Sequence, residues 1–129
     1  MRKHWCILLV TAIIVLGSIK ITLSDSIKHF VGVKPTPFYV DFIGKFLIKG
    51  KDCKIGDEVG VFNKDKVLCG AFVVRKPGQY GILHVYGDDK TTTEIDGALL
   101  GNELTFVVWD SQSKIEHTIS PDEMTILLT

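Results

Sequence analysis

Turn residues recur at short intervals along most of this chain, and that spacing is the feature that most restricts its fold. From residue 38 onward, clusters of Gly, Pro, Asn and Asp separate short runs that are rich in aromatic and β-branched residues. Such runs are typical of strands, and only residues 95–100 allow a single helical turn. The spacing therefore predicts an all-β fold, an antiparallel two-sheet sandwich of seven or eight short strands, Ig-like or jelly-roll-like.

The clearest hairpin in the sequence lies around the turn NKDK, which begins at Asn63. We expect Phe62 to lie opposite Val67 across this turn, which puts Cys69 opposite Gly60. Further strands are predicted in 38–50, 80–86, 103–109, 115–120 and 123–129. The core is expected to come from one side of each strand, and it includes Leu83, Val85, Leu104, Phe106, Val108, Phe62 and Phe72.

The first 24 residues have a different composition from the rest of the chain. Arg2, Lys3 and His4 precede an apolar run over residues 5–16, and small or polar residues follow up to Ser24. This order predicts a secretory signal helix at 1–24, cleaved after Ser24. The alternative is an uncleaved membrane anchor, for which the run is short because a span needs about 20 apolar residues.

The predicted organisation is a signal peptide at 1–24, an N-terminal arm or linker at 25–37 and a β-sandwich domain at 38–129. The protein is then expected outside the cell or at its surface, or in a periplasm, with no stable membrane span after cleavage. Residues 25–129 carry 12 Lys and Arg against 15 Asp and Glu, a net charge of −3. No basic patch with interleaved aromatic residues is present, so nucleic acid is not an expected partner.

Two cysteines follow the predicted cleavage site, Cys53 and Cys69. In an oxidising compartment two thiols often pair. The hairpin register counts against pairing, because Cys53 lies beyond the hairpin that holds Cys69. Both alternatives stay open at this point: a Cys53–Cys69 disulfide, or a buried free Cys69.

Four carboxylates fall within nine positions of the link between two predicted strands: Asp88, Asp89, Glu94 and Asp96. Calcium takes 6–8 oxygen ligands, which closely spaced carboxylates and carbonyls in an irregular loop supply. Without a cation, crowded carboxylates repel one another. We therefore predict a structural Ca²⁺ site here, and Asp57 joins it if the strand order brings it near.

An acidic, solvated loop tip is the alternative, with Gly97 serving only to provide a positive φ. The segment from Thr92 to Glu103 partly matches the EF-hand pattern, since Gly97 and Glu103 fall in register. An EF-hand needs helices on both sides of its loop, and strands are predicted there, so we reject that assignment while retaining the calcium chemistry.

Aromatic residues on the predicted strands suggest a second kind of site. Tyr80 and Tyr86 are predicted on the face opposite Leu83 and Val85, and such rings stack on sugars. Tyr80, Tyr86 and Trp109 are thus candidate ligand-binding residues for a polysaccharide. The plainer interpretation is the outer face of a strand covered by a loop. No catalytic motif such as G-x-S-x-G occurs, so no enzymatic function is predicted.

Three segments together resemble a recurring β-sandwich module of secreted bacterial surface proteins: GDEVGVFNKDKVLCGAFVV, GQYGILHVYGDD and EIDGALLGNELTFVVWD. The resemblance covers residues 38–128 through its GDxVGxF, YGDD…DG and FxVWD signatures. It implies an antiparallel sandwich found in adhesins and exported multidomain proteins, without enzymatic activity. It also implies that the acidic loop is a structural cation site or a loop that caps itself.

The leading hypothesis is a secreted, non-enzymatic β-sandwich module for binding, adhesion or assembly at the cell surface, with a structural calcium ion. The first alternative is a carbohydrate-binding module. The second is a subunit of an extracellular filament, in which residues 25–37 are donated as a strand to the next subunit. The expected partners are an extracellular protein, a polysaccharide or other copies of the chain.

Overall fold

A computed structural model describes residues 26–126, so the predicted signal peptide, Cys6 and residues 127–129 lie outside the described residues. Eight strands follow one another along the chain: β1 (Tyr39–Ile48), β2 (Lys51–Asp52), β3 (Glu58–Phe62), β4 (Leu68–Val73), β5 (Gln79–Tyr86), β6 (Thr105–Asp110), β7 (Ile115–Thr118) and β8 (Met124–Ile126). A 3-10 turn at Pro121–Glu123 leads into β8. The prediction of an all-β chain is confirmed for the described residues.

The strands form two antiparallel sheets. In the first, β1 pairs with β5 along one edge and with β8 along the other, and β2 pairs with the last two residues of β1; in the second the order is β4-β3-β6-β7. Both sheets send buried side chains into one core, including Phe46, Tyr80 and Leu83 from the first and Val61 and Val108 from the second. The sandwich-like arrangement follows from strands too short to bury a core alone.

An extra residue in β5 changes which side chains face the core. Phe42 lies opposite Leu83, but Gly44 lies opposite Tyr80, so one residue of β1 faces two of β5. Because side chains alternate along a strand, one inserted residue reverses the phase. Tyr80 therefore joins Leu83 in the core, and the prediction that it lies on the opposite face was wrong.

The N-terminal arm, residues 26–37, packs on its own domain. Phe30 is buried against the second sheet, where its ring contacts Phe62 and fills the space above Gly60; a Cβ on Gly60 would lie 2.7 Å from that ring. Every residue of β3 from Glu58 to Val61 is buried, because the core covers one face and the arm covers the other. Phe62, expected in the core, faces the arm.

The structure differs from the sequence-based expectations at three further points. Phe62 lies opposite Leu68, not Val67, and an extra residue at Cys69 shifts the register once more, so that Gly60 lies opposite Ala71 and not Cys69. Residues 95–100 contain no helical turn, while the short 3-10 turn before β8 was not anticipated. Among residues 26–126, no helix has the length and apolarity needed to cross a bilayer.

Candidate functional site

The acidic loop, residues 88–96, is tied to the first sheet at its base. Gly87 and Ala98 form a parallel bridge, and Ala98 N donates to Tyr86 O at 2.9 Å. Asn63 adds a link from the neighbouring hairpin, because its side-chain amide donates to Gly97 O at 3.0 Å while its own oxygen accepts from Val67 N. The loop is thus held by backbone pairing on one side and by a buried Asn on the other.

Gly97 is required for space rather than for backbone conformation. Its φ is not positive, in contrast to the solvated-tip interpretation. A Cβ at this position would lie 2.5 Å from both Tyr86 O and Gly87 O, a distance that real Cβ atoms do not show. The loop therefore approaches the sheet as closely as it does because residue 97 has no side chain.

The carboxylates of the acidic loop already have partners within the chain. Asp88 accepts a hydrogen bond from Asp96 N at 2.9 Å, and Asp89 accepts from the Thr91 N–H and hydroxyl. The Thr92 hydroxyl donates to Asp96. These contacts close the loop on itself, as hydrogen-bonded carboxylates commonly do at turns.

Lys34 of the N-terminal arm supplies a positive charge to the loop. Its ammonium group lies 3.1 Å from a Glu94 oxygen and 3.2 Å from an Asp96 oxygen. The Thr92 hydroxyl, followed by Lys34, holds the pKa of Asp96 below its ordinary value, and Glu94, followed by Asp96, raises the pKa of Lys34. A lowered carboxyl pKa stabilises the fold at neutral pH, and this contribution is lost as the pH falls through that pKa.

Asp57 lies far from the acidic loop. It is buried just before β3, where its carboxylate accepts from Lys54 N, Ser111 N and the Ser111 hydroxyl at 2.8–3.0 Å. The contact between this part of the sheet and the base of the acidic loop is made by Asn63, which follows the opposite end of β3. The structure therefore does not bring Asp57 to the other predicted ligands; its role is to join the loops that precede β3 and follow β6.

The observed contacts fit a loop capped by its own groups better than a calcium cage. Within residues 26–126 no group of three or more His, Cys, Asp or Glu side chains is arranged to hold a metal ion. Lys34 occupies the position beside Glu94 and Asp96 that a cation would need. The sequence-based prediction of calcium binding and the self-capped loop lead to different results in a melting experiment.

For this experiment we expect calcium and chelator to leave the melting temperature unchanged, and Asp96→Asn to lower it, because the variant weakens the contacts to Lys34 and Thr92. Asp65→Asn, in the exposed NKDK turn, is the control and should melt like the parent. A structural calcium site predicts the reverse. A free calcium concentration of 100 times the dissociation constant adds about 2.7 kcal/mol to the free energy of unfolding, which calorimetry detects easily. A calcium-dependent rise that Asp96→Asn abolishes would contradict the capped loop.

The three predicted aromatic ligand residues lie in three different environments. Tyr80 is 1% exposed within the core, so its ring is not accessible to a sugar, which corrects that prediction. Trp109 is stacked against His29 of the arm, with ring centroids 3.7 Å apart and planes inclined by 6°. Tyr86 is half-buried, as Trp109 is, and it is flanked by Tyr39 and His84. The carbohydrate prediction therefore loses Tyr80 and stays a prediction for the other two residues.

Both cysteines in the described part of the chain are free and buried. Burial raises the pKa of the Cys53 thiol to about 11 and raises that of Cys69 as well, so both are protonated at neutral pH. Cys53 lies near Asp57, before β3, whereas Cys69 lies beside the end of β3. A strand rises about 3.4 Å per residue, which separates these ends by more than the roughly 7 Å that a disulfide spans.

An apolar cavity lies at one end of the first sheet. It has a volume of about 640 Å³ and opens between the start of β1 and the segment that leads into β6. Its apolar walls, here called the β1 groove, are Phe38, Val40, Phe42, Leu99, Leu100 and Leu104. Asp88, Asp89 and Lys90 of the acidic loop also line the cavity.

Several walls of the β1 groove are exposed to an unusual degree for apolar side chains. Phe38 is 63% exposed, Val40 is 62% exposed and Leu100 is 101% exposed. Large contiguous apolar surfaces on soluble domains mark interaction sites. The sequence analysis missed this site, although the sequence carries a signal for it: Phe38, Tyr39 and Val40 are consecutive, and Leu99 and Leu100 are adjacent in a loop.

No protein-family model matches the chain, and comparisons with curated proteins and with solved structures also return no match. The resemblance to a module of secreted surface proteins therefore stays a prediction.

Proposed function

We propose that the protein is a secreted, non-enzymatic β-sandwich module that acts by binding or assembly at the cell surface, and that the β1 groove receives an extended segment of protein. The observation that carries this proposal is the cavity of about 640 Å³ with apolar, exposed walls. Within this proposal residues 1–24 are the secretory signal, and the two sheets form a complete sandwich.

The chemistry of the β1 groove favours a protein segment over a sugar. Its walls are aliphatic and aromatic side chains, with Phe42 and Leu104 also packed against the core. The charged residues of its lining, Asp88, Asp89 and Lys90, all belong to the acidic loop. An extended peptide presents alternate side chains to such a groove and uses its backbone at the adjacent strand edge.

The N-terminal arm is not proposed as the donated segment. Strand donation needs an arm that is free in the monomer, whereas the arm described here is docked on its own second sheet. Glu58 accepts three of its backbone N–H groups, Phe30 is buried and Thr36 donates to Gly87 O at 2.7 Å. Assembly through the β1 groove leaves the arm in place.

A fluorescein-labelled peptide with alternating valine and lysine residues tests this proposal. We expect the fluorescence anisotropy of the peptide to rise on titration with the full chain. Val40→Asp should weaken binding at least about tenfold, since burying one such side chain contributes about 1.5–3 kcal/mol.

Ile115→Asp serves as the control, because Ile115 is 52% exposed on β7, outside the groove. It should bind like the parent. Equal affinity of the Val40 variant and the parent, or no binding by either, would refute the groove as the binding site.

A further inference from the structure

Two hydrogen bonds assign the direction of the backbone groups along the start of β1. The carbonyl of Phe38 accepts from Gly87 N at 2.8 Å, and Phe46 N donates to Gly78 O at 3.2 Å. Both partners lie on the β5 side. Because successive residues of a strand direct their N–H and C=O groups to opposite edges, the even-numbered residues face β5, and Tyr39, Asp41 and Ile43 face away from it.

The edge opposite β5 is only partly paired. There β8 pairs with Gly44–Phe46. Within residues 26–126, no strand pairs with β1 from Tyr39 to Ile43 on this edge. An exposed strand edge beside an apolar surface accepts another strand through its backbone.

We propose that a second copy of this chain occupies this edge, with its own β1 antiparallel to the first about a two-fold axis at Val40. The proposal rests on the proposed binding function and names the partner. An interface of this kind uses the same surface on both subunits, so its residues must complement themselves.

The alternating direction of the backbone groups restricts the register. Hydrogen-bonded antiparallel pairs require that both residues direct their backbone groups to the shared edge. An axis at Val40 meets this condition, because Tyr39 then lies opposite the second copy's Asp41, and both residues are odd-numbered. An axis at Phe42 would pair Tyr39 with Lys45, whose edge already faces β8.

Side-chain chemistry agrees with the same register. On the groove face, Val40 meets its own copy and Phe38 meets Phe42, so that only apolar side chains are brought together. On the outer face, Asp41, which pairs with His84 of its own chain, meets a tyrosine. An axis at Asp41 would place two carboxylates directly opposite each other, which destabilises a sheet.

The two-fold axis allows a direct test by cysteine cross-linking in the full chain, with Cys6 replaced by Ser in every variant. Val40 would face its copy as a non-hydrogen-bonded pair with Cα atoms about 4.5 Å apart, within the about 4.4–6.8 Å of disulfides. We expect Val40→Cys to form a covalent dimer on mild oxidation. Phe38→Cys is the control, because Phe38 is as exposed as Val40. In the proposed dimer it lies four residues from its own copy, about 14 Å away, so this variant should not form a covalent dimer.

Light scattering over a concentration series should show the unoxidised parent dimerising and Val40→Asp remaining a monomer. A monomeric parent, or equal cross-linking of the Val40 and Phe38 variants, overturns the inference and assigns the edge to another occupant, such as an unrelated strand or residues 127–129. If the labelled peptide still binds in that case, the proposed binding function of the β1 groove stands. Loss of peptide binding as well refutes both.

Discussion

Glu58→Ala is expected to release the N-terminal arm from the second sheet. Glu58 is 4% exposed, and its carboxylate accepts the backbone N–H groups of Lys28, His29 and Phe30 at 2.7–3.0 Å. Hydrogen bonds to a charged group contribute about 1.5–3 kcal/mol each, and water replaces part of the loss, so the free energy of unfolding should fall by about 3 kcal/mol. At roughly 4–8 °C per kcal/mol, the melting temperature falls by more than about 10 °C.

Release of the arm has a signature that a general loss of stability does not produce. His29 stacks on Trp109, so undocking exposes that indole below the melting transition. In a Trp5→Phe background Trp109 is the only tryptophan, and its emission should shift to longer wavelength. Proteolysis within residues 26–34 should become faster at the same temperature.

Glu116→Ala is the matched control for the arm. It removes a carboxylate that contacts His29 at 2.6 Å, but this side chain is 53% exposed. Exposed ion pairs contribute about 0–1 kcal/mol, so the arm should remain docked. Unchanged Trp109 emission in the Glu58 variant, or an equal shift in both, would show that the buried carboxylate does not hold the arm.

Gly97→Ala should destabilise the fold by about 3 kcal/mol, at the upper end of the cost of overpacking. The added Cβ would lie 2.5 Å from two backbone oxygens, those of Tyr86 and Gly87. Backbone atoms within a sheet cannot move aside as a flexible side chain does. The loop must therefore shift, which breaks the bonds of Ala98 N and the Asn63 amide. Calorimetry gives the loss of stability.

Gly87→Ala tests the same bridge from its other side. A Cβ on Gly87 would have its nearest neighbour at 3.5 Å, an ordinary contact, and its φ is not positive. We expect its stability to match that of the parent within about 0.5 kcal/mol. If the two variants melt together, close approach at Gly97 does not determine how the loop is held.

The acidic loop illustrates where sequence reasoning succeeded and where it failed. The density of carboxylates at Asp88, Asp89, Glu94 and Asp96 indicated that they needed partners, because like charges repel. The partner in the structure is Lys34, which lies 60 residues before Glu94 in the chain. The local pattern carries no information about such a distant contact, so calcium was the natural prediction.

Local chemistry determined the strands. Alternating apolar residues and the turn at Asn63 place β1, β3, β4, β5 and β6 within a few residues of their observed bounds. Each of these signals depends on neighbours in the sequence, as turn geometry and the two-residue side-chain period do. The all-β class follows from them, and so does the pairing at Phe62 to within one residue, whereas the predicted partner of Gly60 is wrong by two residues.

Tertiary structure alone decided which faces are covered. One inserted residue in β5 turned Tyr80 into the core. The arm packed against Trp109 and buried Glu58. The local sequence signals none of these contacts. Which face a side chain occupies depends on the number of residues that separate it from a paired position, so a single bulge reverses the predicted face of every residue beyond it. The exposed β1 groove is equally a product of strand order, because which edge of β1 stays unpaired depends on where β5 and β8 come to lie.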